Sequence, residues 1–183
     1  MKKALMLMVL ALAFIATPAM AKEGLFVGAY VLPTVKLSGD ALSGVESGSG
    51  YGFRAGLGFN KYLSIEGTYE KSQHDITGGP TLKMSGLAVD LRLNFPLTTL
   101  DSAKIMSLEP YVLFGYGLKY EVKAGTVSSS GNGPRYGFGI EQYLFRELSI
   151  NAGWTRTSIS FDSPINKDGT IRTFDVGLTY HFL

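Results

Sequence analysis

Apolar and polar residues alternate along most of the chain. From residue 51 to 60 the odd positions are Tyr, Phe, Ala, Leu and Phe, and the even positions are glycine, Arg or Asn. Successive side chains of a β-strand point to opposite faces, so this pattern predicts a strand with one apolar face. The same alternation recurs in six further segments: 62–72, 87–95, 112–121, 135–141, 148–155 and 173–182.

An eighth segment, residues 25–37, is rich in apolar residues but alternates less regularly. Phe26, Tyr30 and Leu32 are apolar on the face that the other strands keep polar. Counting it as a strand gives an even number, as closed antiparallel membrane barrels have. The pattern therefore predicts an all-β fold, an eight-stranded antiparallel up-and-down transmembrane β-barrel.

Alternation alone does not say which face points inward. In a membrane barrel the apolar face meets lipid and the polar face lines the interior. Mid-strand charges share a face with most of the glycines, whose missing side chains leave room in a narrow barrel. We therefore predict a lumen plugged by a charge network of Arg54, Glu66, Asp90, Arg92, Lys119, Arg135, Glu141 and Asp175. Pairing across the first turn places Arg54 one diagonal step from Glu66.

Aromatic residues lie near the ends of the apolar faces, as the girdles at the two membrane–water interfaces require. The predicted girdle residues are Tyr51, Phe59, Tyr69, Phe95, Tyr120, Tyr136, Phe174, Tyr180 and Phe182.

The connections between strands favour one orientation. Segments 60–62 and 143–147 are short, whereas 38–49, 71–80, 123–133 and 160–169 are longer and rich in turn-forming residues. Alternating long and short connections are typical of outer loops and periplasmic turns. The connection 96–107 is as long as the loops although it falls on the periplasmic side, and a helical turn is expected at 101–105.

The N-terminus indicates export. Lys2 and Lys3 precede an unbroken apolar run from Ala4 to Ile15, and Ala19 and Ala21 form a small-x-small cleavage pattern. Twelve apolar residues are too few for a membrane anchor, which needs about 20. We expect residues 1–21 to be a cleaved signal peptide and 22–183 to form one outer-membrane β-barrel domain.

Composition narrows the functional classes. Without Lys2 and Lys3, 15 basic residues face 15 acidic ones, so no basic footprint for nucleic acid remains. The chain has no cysteine and therefore no disulfide framework or cysteine-based metal centre. Two isolated histidines do not suggest a zinc site, which takes three or four ligands. No cofactor is predicted.

The last strand resembles the C-terminal assembly signal of outer-membrane proteins, a pattern of polar-x-Gly-x-x-aromatic-x-aromatic. Gly177, Tyr180 and Phe182 occupy the marked positions, although the chain ends one residue later on Leu183. The resemblance implies that the barrel-assembly machinery is a partner during biogenesis.

The segment 109–117, EPYVLFGYG, resembles the PYxxxGxG fifth strand of small porin-like barrels. Taken together, the resemblance covers nearly all of residues 22–183. The class that the chain resembles is that of the OmpA membrane domain, OmpX/Ail and the opacity proteins. This resemblance implies residence in the outer membrane of a Gram-negative-type cell envelope, with lipid and lipopolysaccharide as partners. A further ligand could meet the outer loops.

One candidate constellation for catalysis is present. Ser72, His74 and Asp75 lie close in sequence at the expected outer rim, and some eight-stranded barrels modify lipid A with Ser and His. The deacylase pattern known in such barrels, His-x-Ser-Asn, is absent, and triads are recognised by geometry rather than by proximity in sequence. We therefore predict no enzyme activity.

Three functions follow from this sequence, in order of preference. The first is a structural or surface-interaction protein whose loops face outward. The second is a minor pore or a conduit for small solutes. The third is a lipid A-modifying enzyme.

Overall fold

A computed structural model of the chain describes residues 24–39, 42, 44–97, 107–164 and 167–182. Three predictions lie outside these residues: the signal peptide 1–21, its cleavage before Lys22 and the helical turn 101–105. The described part of the chain contains no helix that is long and apolar enough to cross a membrane.

Eight strands form one closed barrel in which each strand pairs antiparallel with its neighbours in sequence, and β1 pairs with β8. The predicted fold class is therefore confirmed. The strands are β1 (Gly24–Ser38), β2 (Gly48–Gly58), β3 (Leu63–His74), β4 (Leu82–Asn94), β5 (Leu108–Ala124), β6 (Val127–Tyr143), β7 (Leu148–Phe161) and β8 (Asp168–His181).

The two ends of the barrel differ in their connections. The loop end carries the β1–β2, β3–β4, β5–β6 and β7–β8 connections. The terminal end carries the other three connections, the start of β1 and the end of β8. At the terminal end, Asn60 closes the β2–β3 turn because its side-chain oxygen accepts hydrogen bonds from the backbone N–H groups of Tyr62 and Leu63.

The predicted loop 123–133 is wrong. β5 and β6 continue through it as a tall hairpin, with Lys123 opposite Ser128 and Ala124 opposite Val127. Only Gly125 and Thr126 form the turn, and Gly125 has a φ of +59°, the left-handed conformation that glycine adopts without a steric cost. Three serines and three glycines in this stretch are typical of a loop, but their small side chains also fit within a strand.

A β-bulge in β5 changes the facing of the residues beyond it. Gly117 pairs with Gly133 but the next pair is Tyr120 with Gly131, so β5 carries one extra residue there. Leu118 and Lys119 are consecutive and both exposed, whereas Tyr120 turns inward and is fully buried. The predictions of Lys119 in the lumen and of Tyr120 in the aromatic girdle are therefore wrong.

The apolar face of the terminal half of the barrel points outward, as predicted. This apolar belt includes Leu25, Val27, Phe53, Leu87, Val89, Leu91, Leu93, Phe114, Phe138, Ile140 and Leu178. Aromatic side chains border it toward the loop end (Tyr51, Tyr69, Tyr116, Tyr136 and Phe174) and toward the terminal end (Tyr62, Phe95, Tyr180 and Phe182).

The loop half has the opposite polarity. An apolar core fills its interior: Tyr30, Leu32, Val35, Leu37, Leu42, Leu82, Met84, Tyr120, Val122, Ile159, Phe161 and Ile171. Leu42, from the β1–β2 connection, covers this core at its top, where Val45 bridges to Ile76 of the β3–β4 connection. The outward positions are polar: Lys36, Ser49, Lys71, Gln73, Lys83, Ser85, Glu121, Lys123, Ser128, Ser130, Asn132, Arg156, Ser158, Thr170 and Arg172.

Candidate functional site

The interior of the terminal half is a dense cluster of buried charges. Among the described residues, three arginines (Arg54, Arg92 and Arg135) are buried together with six carboxylates (Glu66, Glu70, Asp90, Glu109, Glu141 and Asp175). Charges removed from water cost several kcal/mol each unless they are paired and hydrogen-bonded. The geometry of this cluster therefore determines how the lumen is closed.

Arg92 on β4 organises the part of the cluster near the terminal end. Its Nη2 lies 2.5 Å from Oε2 of Glu141 across the lumen, and its Nη1 lies 3.7 Å from Oε2 of Glu66. Its Nε donates a hydrogen bond to Oδ1 of Asn94, and the guanidinium stacks 3.7 Å above the ring of Tyr111. Arg92 is thereby held on all of its polar edges and on one face.

Arg54 on β2 reaches past β1 to the last strand. Its Nη2 lies 2.7 Å from Oδ1 of Asp175 on β8, and its guanidinium lies 4.5 Å from the centre of the Tyr30 ring. Glu66 is one diagonal step away in the β2–β3 register, since Gly56 is opposite Glu66 and Arg54 is opposite Thr68. The short ion pair of Arg54 is nevertheless with Asp175.

Arg135 on β6 marks the boundary between the charged interior and the apolar core. Its Nη2 donates to Oε1 of Glu70 at 3.0 Å, and its Nη1 donates to the Tyr120 hydroxyl at 2.7 Å. Its Nε lies 3.2 Å from Oδ2 of Asp90. Tyr30 donates its own hydroxyl proton to Oε1 of Glu70. The two tyrosines present hydroxyls to the charges and rings to the core.

Seven of the eight predicted lumen charges thus lie together inside the barrel. Lys119 does not, because the bulge turns it outward, where its Nζ is 3.8 Å from Oε2 of Glu121. The cluster also contains Glu109 and Glu70, which are not among the predicted charges; Glu70 lies on the same face of β3 as Glu66 and four residues further on. Its place in that alternation was the signal for including it.

Glycines in the wall make room for large inward side chains. A Cβ at Gly115 would collide with the Asp90 carboxylate, and a Cβ at Gly86 or Gly117 would collide with the ring of Tyr120. Tyr111 and Tyr30 lie on glycines of other strands in the same way. The abundance of glycine therefore has a steric cause inside an eight-stranded barrel, whose interior is just wide enough for side chains.

Two pairs of hydroxyl and imidazole groups occur in the lumen. Ser72 Oγ lies 2.8 Å from Nε2 of His74, whose Nδ1 is 3.1 Å from the backbone oxygen of Glu46. This resembles a serine–histidine dyad, but both side chains point into the barrel and are almost fully buried. The Ser72 hydroxyl therefore faces the lumen and not the lipid-facing surface of the barrel.

The second pair lies near the terminal end. Nε2 of His181 is 3.2 Å from Ser149 Oγ and 3.3 Å from Oε1 of Glu141. A triad needs the serine and the acid on different ring nitrogens, whereas here one nitrogen faces both. In the described part of the chain, no group of three or more His, Cys, Asp or Glu side chains is arranged to hold a metal ion.

The predicted C-terminal signal residues occupy the terminal end of β8. Tyr180 and Phe182 point outward and touch edge to face, with ring centres 5.0 Å apart. Gly177 faces inward beneath Tyr30, where a Cβ would collide with that side chain.

The outward apolar belt, the closed eight-stranded topology and the charged lumen together define a small transmembrane barrel of the outer-membrane type. Residues 7–182 match the outer membrane protein beta-barrel domain family, and the chain belongs to that family. No curated protein sequence matches the chain.

Solved structures of small outer-membrane barrels share the fold. Neisserial surface protein A (NspA) is 17% identical with a TM-score of 0.59, and the alignment covers 87% of this chain and 98% of that one. OprG from Pseudomonas aeruginosa is 15% identical with a TM-score of 0.57, covering 88% and 97%. Ail of Yersinia pestis, in complex with the heparin analogue sucrose octasulfate, is 17% identical with a TM-score of 0.54, covering 87% and 99%. At these identities the likeness concerns the fold alone.

Proposed function

We propose that the protein is a non-enzymatic surface protein of the outer membrane. In this proposal the plugged terminal half of the barrel holds the loop half, which we call the platform, above the outer leaflet. The observation that supports this proposal is the inversion of polarity along the barrel. The loop half has an apolar core and a polar exterior, which is the arrangement of a protein in water. The terminal half has the arrangement of a protein in lipid.

The platform supplies the surface for contact with other envelope components or with a host. Its tallest part is the β5–β6 hairpin, with 17 residues in each strand. The β1–β2 and β3–β4 connections support each other through the Val45–Ile76 bridge and a hydrogen bond from Glu46 N to Asp75 O. A surface held this firmly loses little entropy on binding a partner.

The plug argues against the two alternative functions. Three arginines bridge carboxylates across the lumen, and the apolar core closes it above them. A solute would have to displace both layers. Lipid modification would need an accessible serine–histidine pair. Among the described residues, the only such pair near the loop end is Ser72 and His74, and it is buried. We further propose that lipid and lipopolysaccharide surround the barrel and that the assembly machinery binds the end of β8.

Surface exposure of the platform is tested with single cysteines, since the native chain has none. We expect Thr126→Cys, in the β5–β6 turn, to react with a membrane-impermeant maleimide on intact cells. The matched variant Lys61→Cys, in the β2–β3 turn, should react only after the outer membrane is permeabilised. The opposite labelling pattern would contradict the proposal.

The plug is tested in the same preparation by planar-bilayer recording of the purified protein. We expect no steady channel. A stable conductance step for the wild-type barrel would favour the pore instead.

A further inference from the structure

A row of three cations crosses the outside of the barrel on β1, β8 and β7. Lys36 is directly opposite Arg172, and Arg172 is directly opposite Arg156. All three occupy outward positions. Neighbouring strands are about 4.8 Å apart, so the row spans about 10 Å. We call these three residues the cationic row.

Among the described residues, no carboxylate offsets the three positive charges of the cationic row. Like charges directly opposite each other destabilise a sheet, and no carboxylate of the described residues lies within ion-pair distance of any of the three. The Nε of Arg156 is shielded from solvent and has no hydrogen-bond partner among those residues. On the opposite wall, by contrast, Lys119 and Lys123 both lie within 4 Å of Glu121.

The position of the cationic row relative to the membrane indicates its partner. Two residues toward the terminal end, Trp154 follows the row on β7 and Phe174 follows it on β8, and these two residues are directly opposite each other. Trp154 also packs against Tyr136 and Phe138. Aromatic clusters of this kind lie at the membrane–water interface, so the guanidinium groups are at the depth of lipid headgroups.

We propose that Lys36, Arg172 and Arg156 bind the phosphate groups of a phosphorylated glycolipid of the lipid A type in the leaflet at the loop end. Guanidinium groups bind phosphate oxygens through paired, charge-assisted hydrogen bonds. A lipid carrying two phosphates would offset the repulsion within the row, while its acyl chains run past Trp154 and Phe174. The phosphates thereby supply the negative charge that no carboxylate of the described residues supplies within ion-pair distance of the row.

The chain contains its own reporter for this site, because Trp154 is its single tryptophan. The folded protein in a neutral detergent is titrated with bisphosphorylated lipid A while Trp154 fluorescence is recorded. Native mass spectrometry counts the bound lipid independently. Dephosphorylated lipid A, a zwitterionic phospholipid, inorganic phosphate and sucrose octasulfate serve as comparison ligands. We expect saturable binding of the bisphosphorylated lipid and at least about tenfold weaker binding of each comparison ligand.

The variant Arg156→Gln/Arg172→Gln should bind bisphosphorylated lipid A at least about tenfold more weakly, because it loses two phosphate-binding groups. The matched variant Lys119→Gln/Lys123→Gln removes the same charge from the opposite wall and should bind as the wild type does. A shift in gel mobility on boiling verifies that each variant is folded.

Three results would overturn the proposal: unchanged binding by the double arginine variant, equal weakening by the lysine variant, or equally tight binding of inorganic phosphate or sucrose octasulfate. The first two would mean that no local site exists, and the third that the row takes any polyanion. The titration in detergent is independent of orientation in the cell, so its failure is distinguishable from failure of the cysteine labelling.

Discussion

The two halves of this barrel solve the same packing problem in opposite ways. The terminal half surrounds buried arginines and carboxylates with an apolar exterior, and the loop half surrounds an apolar core with a polar exterior. The same eight strands form the wall of both halves, although the ladders of β1 and β5 shift register along their length. The side chains differ because the solvent outside differs, lipid in one case and water in the other.

This comparison separates what holds each half together. Burial of apolar surface stabilises the loop half, as in a soluble protein. In the terminal half the apolar side chains already face lipid, so the interior is fixed by ion pairs that are costly to break. The change-over occurs around Arg135 and the hydroxyls of Tyr30 and Tyr120, which belong to both layers.

The largest effect is expected from removing the central arginine of the charged interior. Arg92→Met leaves Glu141 and Glu66 facing each other without their shared cation. Breaking a buried pair on one side costs about 3–5 kcal/mol. Urea unfolding of the barrel in lipid vesicles should therefore show a loss of that size in the free energy of unfolding.

Asp90→Asn is the matched control for this change. Six carboxylates share three guanidinium groups among the buried described residues, so removing one carboxylate lowers the excess of negative charge. We expect a much smaller loss than for Arg92→Met. Equal losses for the two variants would show that net charge in the lumen is unimportant.

A cavity in the apolar core should destabilise the loop half as it does a soluble domain. Ile159 is 1% exposed and packs within that core. Ile159→Ala is expected to lower the free energy of unfolding by about 2–5 kcal/mol. Its outward neighbour provides the comparison, since Ser158→Ala should leave stability nearly unchanged. If Ile159→Ala were also neutral, the loop half would not have a packed core.

The boundary between lipid and water can be located on a single strand. Leu91 lies in the apolar belt of β4, whereas Ser85 lies on the same outward face beyond it, opposite Glu121. Leu91→Lys should cost about 2–4 kcal/mol, the range for a lysine near the bilayer midplane. Ser85→Lys should cost close to nothing by the same unfolding measurement. Similar costs at both positions would place the water boundary elsewhere.

The inversion of polarity also explains how far the sequence could predict the fold. In β4 the apolar positions are Leu82 and Met84 in the loop half but Leu87, Val89 and Leu91 in the terminal half. The apolar residues therefore change from even to odd positions at the membrane boundary. In sequence, such a change looks the same as the end of a strand. The predicted strand consequently began at residue 87, five residues after β4 begins.

The same reasoning accounts for the irregular first segment. Leu32, Val35 and Leu37 belong to the apolar core of the loop half, while Val31 faces lipid. Both faces of β1 are therefore apolar in part. Lys119 departs from its prediction for a different reason: one extra residue in a strand exchanges its two faces, and a bulge has no fixed sequence pattern.

The composition of the charged cluster was predictable, but its pairing was not. Mid-strand charges on a glycine-rich face identified seven of its members. Which carboxylate meets which arginine depends on strand tilt and on closure of the barrel, which bring Asp175 to Arg54 over a separation of 121 residues. Pairing rules for neighbouring strands do not predict contacts between strands that are not neighbours in the sheet.

The way Arg54 reaches Asp175 has a consequence for the timing of assembly. The shortest ion pairs of the lumen join β2 to β8, β4 to β6 and β3 to β6, so each passes over at least one intervening strand. A single hairpin would enter the membrane with these charges unpaired, and so would the first four strands without the last four. We therefore expect the eight strands to insert into the membrane together, with the pairing of β1 and β8 as the last step, and not one stable hairpin at a time.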